Sequence, residues 1–254
     1  MAISGLESID GCMLDGLEFC ARAYAAFDAI RNSRGGVEEL RMRKTQRAKK
    51  IVEEVLPLAR YVQMRYGPGL RIKLRWRGGN QRGDAYLTWE GAMVTALRIP
   101  SHQLLEVTTA VHPKEYLARE HLNETGHAYA PRSTSRDRNT GKVISEPSVF
   151  SDRQLAEELV TQVRSAIQKK RSRQYPRPTS LLIQCVLTAP LLDDEWDYAI
   201  RELQKSEECL PFREVVLLAS IGDRFAILHS RKHRHHRSNF RMQPTAARCA
   251  RRGG

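Results

Sequence analysis

A mixed central β-sheet flanked by helices, an α/β fold, is predicted by three features of this sequence. Three short strand-like runs, at 70–77, 84–90 and 104–111, follow one another as a meander. The stretch 181–187 is a continuous apolar run of strand length, Leu181-Leu182-Ile183-Gln184-Cys185-Val186-Leu187. Runs of that kind belong to strands covered on both faces and reached by a helical crossover. A strong helical pattern begins at Ser151 and stands in the place such a crossover needs.

The elements follow in order. Within 1–36, Leu14, Leu17 and Phe19 through Tyr24 and Phe27 make one helical pattern, stopped by Asn32-Ser33-Arg34-Gly35-Gly36 and expected to pack peripherally. A longer helix is expected over 37–66, with Ile51, Val55, Leu58 and Val62 on one stripe and Pro57 forcing a kink or a break. Gly67-Pro68-Gly69 ends it. In the first strand Leu70, Ile72, Leu74 and Trp76 alternate with Arg71, Lys73, Arg75 and Arg77, which gives one apolar and one cationic face.

After the meander, His112-Pro113 opens a helix that Gly126 closes, proline being suited to a first turn. Residues 127–150 read as a flexible loop, with Pro131, Ser133, Thr134, Ser135, Asn139 and Gly141 offering little to bury. Ser151 and Gln154 form a capping-box pattern, and Leu155, Leu159, Val163 and Ile167 recur every four residues. The cations at 169–173 suit the negative end of that helix. A helix over roughly 192–204 and a strand pair at 215–219 and 224–228 complete the body. The expected organisation is therefore a peripheral N-terminal helix (1–36), one α/β domain (37–230) and a disordered basic tail (231–254).

Composition bounds the partners. With 254 residues, 41% hydrophobic and 28% charged, the chain can bury a substantial core. No apolar run is long enough to span a membrane, and the N-terminal stretch, with Glu7, Asp10, Asp15 and Glu18, has no secretory pattern. Five cysteines without a C-x-x-C pair argue against a disulfide framework or zinc ribbon and fit a reducing, cytoplasmic setting. The formal charge is +13, of which eight Lys/Arg lie beyond residue 230. The other cations cluster at 41–50, 71–82 and 164–177, patches that suit a polyanion. No phosphate-cradling or dinucleotide glycine loop and no nucleophile elbow is present. His102 and His112 flank the third strand, and His233, His235 and His236 lie in the tail, where nothing folded is expected around them.

The sharpest chemical pattern is a pair of acids. Asp84 opens the second strand, and Glu106 lies inside the third with Thr108 on the same face. With the surrounding Gly83-Asp84-Ala85-Tyr86-Leu87 and Leu105-Glu106-Val107-Thr108, and with the helix, three strands, helix, strand order, the chain resembles the PD-(D/E)xK nuclease superfamily of restriction-endonuclease-like fold. The resemblance spans about 37–228 by topology and two motif positions by residue. It implies a Mg2+ site, with Mn2+ as the other candidate, at Asp84 and Glu106, and phosphodiester hydrolysis of DNA. Thr108 stands where the family carries lysine. Lys114 and Lys73 are the substitutes that the spacing suggests, and Glu53 or Glu54 matches an additional acid of some relatives. Arg71, Lys73, Arg75, Arg77 and Arg82 are the expected nucleic-acid contacts. Two plainer readings stand beside this one: Asp84 as a turn cap after Gly83, and Glu106 as the structural partner of Arg71, Lys73 or Arg75. The rival function is a binding module, for nucleic acid or protein, that kept the fold and lost catalysis. A homodimer is left open.

Overall fold

The computed structural model describes residues 5–79, 81–176, 178–187, 189–205 and 211–229. The predicted tail, Cys209 and Cys249 lie outside the described residues, as do His233, His235 and His236. A seven-stranded sheet organises the rest. Strand β1 (Leu14–Asp15) leads directly into helix α1 (Gly16–Arg31), which is followed by α2 (Gly36–Met42) and α3 (Gln46–Lys50). One π-helical turn (Ile51–Val55) joins α3 to α4 (Leu56–Arg65). The meander is β2 (Arg71–Trp76), β3 (Ala85–Glu90) and β4 (His102–Ala110), with the short helix α5 (Ala92–Ala96) between the last two. Next come α6 (Glu115–Thr125), the hairpin β5 (Thr134–Arg136) and β6 (Val143–Ser145), and α7 (Asp152–Arg171). Strand β7 (Thr179–Cys185), α8 (Asp193–Gln204), β8 (Glu214–Ala219) and β9 (Phe225–His229) finish the domain.

The sheet order is β1-β2-β3-β4-β7-β8-β9. Strands β1 to β4 pair antiparallel, β4-β7 and β7-β8 pair parallel, and β8-β9 is antiparallel again. The two parallel pairs follow long crossovers, with α6, the β5–β6 hairpin and α7 between β4 and β7 and α8 between β7 and β8, whereas the direct connections β2–β3 and β8–β9 give antiparallel pairs. Leu181, Leu182, Ile183 and Cys185 are all buried, as an apolar run interrupted only by Gln184 requires of a strand covered on both faces.

Side chains alternate between the two faces. On one, Ile72, Leu74, Trp76, Leu87, Trp89, Leu105, Val107, Leu182 and Val216 pack against α1 and the α3–α4 helix. On the other, Leu181, Ile183, Cys185, Val215 and Leu217 meet Leu159, Val163 and Ile167 of α7 and Trp196, Ala199 and Leu203 of α8. Helices α7 and α8 cover only the β4–β9 half of that second face. Over β2 and β3 it stays open: Arg71 is exposed, and Lys73, Arg75, Tyr86, Thr88 and Glu90 are half-buried.

Three expectations are corrected. The first helix is not peripheral: Phe19, Ala23, Ala26 and Ile30 form a buried stripe in the main core, and β1 pairs with β2 through Leu14↔Leu74 and Asp15↔Lys73. The helix expected over 37–66 is broken at Arg43, whose φ of 52° is left-handed, and restarts at Thr45, whose hydroxyl accepts from the Ala48 amide. Residues 127–150 are not a featureless loop. Thr134 and Val143 are buried, and the hairpin lies on α6, with His121 Nδ1 3.2 Å from the Val143 carbonyl oxygen. Cys12, Cys20 and Cys185 are free thiols. Among the described residues no helix is long and apolar enough to cross a membrane.

Candidate active site

Asp84 sits where the β3–β4 ladder ends. Gly83 takes a φ of 84°, a conformation natural to glycine, and turns the chain into β3. The Asp84 amide donates to the Leu105 carbonyl at 2.9 Å. Its side chain reaches back across the ladder and accepts from the Val107 amide through Oδ2 at 2.7 Å. That bond fixes the carboxyl beside Glu106 on β4. The plain reading of Asp84 as a turn cap does not describe this contact, because the acceptor serves the neighbouring strand.

Glu106 is 3% exposed. A buried carboxylate needs a partner, and the partner is Lys170, from the last turn of α7: Nζ lies 2.5 Å from Oε1, with the lysine side chain 18% exposed. Arg173, just past the helix, brings Nη1 to 3.8 Å of the same oxygen. The sequence-based partners of Glu106 are engaged elsewhere. Lys73 pairs with Glu90 at 2.8 Å, Arg71 with Asp15 at 3.4 Å, and the Arg75 guanidinium lies over the Tyr86 ring. Lys114 is exposed at the start of α6, with its amide bonded to His112 Nδ1. Neither Lys73 nor Lys114 joins the hydrogen bonds or ion pairs of Asp84 and Glu106 among the described residues. Thr108 shares the Glu106 face, half-buried, two residues along β4.

The third acid is Glu54, in the π-helical turn. There the Leu56 amide bonds five residues back, to the Ile51 carbonyl, a widened turn of the kind often found at functional sites. Glu54 Oε2 accepts from Trp76 Nε1 at 3.1 Å. Burial pushes its carboxyl pKa up, while the Trp76 bond, Lys50 and Lys170 pull it down. Glu53, the alternative acid, points to Arg43 instead, at 3.0 Å.

Electrostatics tie these groups together. Asp84 is pushed from 3.8 up to about 7, first by burial and then by the Glu106 charge, with Glu54 adding and the Val107 amide and Lys170 opposing. Glu106 and Glu54 thus both raise the Asp84 carboxyl pKa, and Lys170 acts on Asp84 and Glu54 as well as pairing with Glu106. Tyr175 borders it, its phenol pKa raised by burial and by Glu106.

Lys170 was legible in principle. It lies three residues after Ile167 and four after Ala166, on the buried stripe of α7, while Lys169 and Arg171 fall beside that stripe. Read only as helix-end charges, the three look equivalent.

Comparison with family models, with curated proteins and with solved structures brings no match to this chain. Fold and site together define a mixed α/β protein with a buried carboxylate–lysine centre at the edge of its helix-covered sheet face.

Proposed function

We propose that the chain is a Mg2+-dependent phosphodiesterase acting on DNA, with Asp84 and Glu106 as metal ligands, Glu54 as a supporting acid and Lys170 as the cation of the site. The observation that carries this is the Lys170–Glu106 contact: the charge missing at Thr108 reaches the same carboxylate from α7. The order of helix, antiparallel meander, helix and parallel strand supports the resemblance to PD-(D/E)xK nucleases.

The donor set fits a hard divalent cation. Buried carboxylate oxygens suit Mg2+, which keeps several waters and takes one or two carboxylates from the protein. The raised Asp84 pKa marks surplus negative charge that a cation would relieve. Among the described residues no group of three or more His, Cys, Asp and Glu is placed to hold an ion; the ligands proposed are the two strand carboxylates, with water completing the shell. When bound, Mg2+ supplies positive charge to the phosphate and makes hydroxide available near neutral pH. The protein's own share follows from its geometry. Asp84 is held by the Val107 amide, which fixes the angle at which its free oxygen is presented. The Lys170 ammonium offers donors to the attacking water and to charge developing on the phosphate, a role Thr108 cannot fill. Hydrolysis consumes one water: its oxygen forms a new P–O bond, the ester P–O bond to the leaving sugar oxygen breaks, and that oxygen leaves as a hydroxyl carrying a proton from the water.

One observation favours the rival binding module. At 2.5 Å, Lys170 already neutralises Glu106, and a buried ion pair of this kind can be purely structural. Melting curves separate the two. With millimolar Mg2+ the wild-type Tm should rise, because a ligand held only by the folded state stabilises it. The increment should vanish in Asp84→Asn. An unchanged wild-type curve in both Mg2+ and Mn2+ would favour the structural pair.

A further inference from the structure

The open half of the sheet face carries a cation–aromatic row beside the acids. Arg75 and Tyr86 are directly opposed across β2 and β3, with the guanidinium carbon 5.7 Å from the ring centroid. His102, the exposed first residue of β4, lies on the far side of Tyr86, with centroids 5.8 Å apart and ring planes 17° from parallel. That separation between nearly parallel planes is an offset stack, with His102 exposed and Tyr86 half-buried. Helices α7 and α8 do not reach this part of the face, where Arg71, Lys73, Arg75, Tyr86, Thr88 and His102 are all exposed or half-buried.

The charge around the row is unbalanced. Lys73 and Arg71 are matched by Glu90 and Asp15. Arg75, Arg77 and Arg82 have no carboxylate partner among the described residues, and Arg77 and Arg82 are exposed. His102, Leu104 and Glu106 fall on one side of β4, so the stack lies about 13 Å along the strand from the acid. Rings and guanidinium standing together on a basic sheet face offer what unpaired bases and their phosphates take up, stacking faces and positive charge.

We infer that the Arg75–Tyr86–His102 row is a stacking platform for unpaired DNA bases, which delivers single-stranded DNA to the Asp84–Glu106–Lys170 site. This rests on the phosphodiesterase reading for its destination. Base stacking at Tyr86 and His102 fixes the strand, and Arg75, Arg77 and Arg82 contact its phosphates.

The test is binding without cleavage, by fluorescence anisotropy in chelator. Three labelled probes of equal length are compared: a mixed-sequence single strand, the same backbone made abasic, and the duplex. The single strand should bind wild type tightest, and about tenfold tighter than the abasic strand. Tyr86→Ala and His102→Ala should each remove most of that advantage while leaving abasic binding and the salt slope unchanged. Tyr86→Phe should retain it. Arg75→Ala should weaken all three probes. Unchanged melting curves exclude misfolding, and Tyr86→Leu keeps the strand's side-chain bulk if Tyr86→Ala loses stability. Equal wild-type affinity for base-bearing, abasic and duplex probes would overturn the platform, as would Tyr86→Ala and His102→Ala proteins that bind like wild type. Absence of cleavage in Mg2+ with these ratios intact would count against the nuclease alone. Cleavage with the ratios absent would count against the platform alone.

Discussion

Lys170→Met should lower Mg2+-dependent DNA cleavage by about 10²–10³-fold, the usual cost of removing one preorganised donor from a reacting centre. The variant also leaves Glu106 buried without its ion-pair partner, which costs about 3–5 kcal/mol for a pair of this burial. Folding and catalysis therefore have to be separated. Glu106→Gln/Lys170→Met removes both charges together, so it should recover much of the stability but none of the activity. Thr108→Lys in the Lys170→Met background should restore part of the rate, since it returns an ammonium two residues from Glu106 on the same strand face. Lys170→Met that cleaves as wild type, with a normal melting curve, would remove the lysine from the mechanism.

Asp84→Asn should stabilise the metal-free protein at pH 8 while abolishing cleavage. The sign follows from the proton balance. In the unfolded chain Asp84 ionises near 3.8, and in the folded protein near 7. Between those values the folded state holds a proton that the unfolded chain has released, so stability falls as pH rises through this window and stays low above it. A tenfold difference in proton affinity between the two states corresponds to about 1.4 kcal/mol. Asparagine has no proton to lose, and its amide oxygen can still accept from the Val107 amide. Wild-type Tm should drop between pH 5 and pH 8 by several degrees more than that of Asp84→Asn. A variant less stable than wild type at pH 8 would mean that ionised Asp84 supports the fold rather than strains it.

Much of the fold was legible because burial leaves a pattern in sequence. The two-sided cover of β7 shows as the apolar run from Leu181 to Cys185, interrupted only by Gln184, and the start of α7 shows in the Ser151–Gln154 capping box, present as read. What escaped reading was set by tertiary contact. Strand β1 is two residues long and exists because Leu14 and Asp15 meet Leu74 and Lys73, to which no local propensity points. The β5–β6 hairpin buries only Thr134 and Val143, too little to outweigh the polar residues around them in a pattern search. The two strand acids were visible as an Asp and a Glu on successive strands. Lys170 could be singled out by its place on the α7 stripe, but its pairing with Glu106 could not, because it lies 64 residues away in the chain. Glu54 was one of two neighbouring acids, and only the π-helical turn selects it by aiming it at Trp76.

The most direct test of the Asp84–Glu106–Lys170 centre is hydrolysis by the unmodified protein. Purified wild type is incubated with plasmid and with single-stranded DNA, in Mg2+ and in chelator, beside Glu106→Gln. Cleavage in Mg2+ alone, lost in Glu106→Gln of normal fold, is the predicted result. Intact DNA and RNA after incubation of folded wild type with either Mg2+ or Mn2+ would contradict a phosphodiesterase and leave a binding module held together by a buried ion pair.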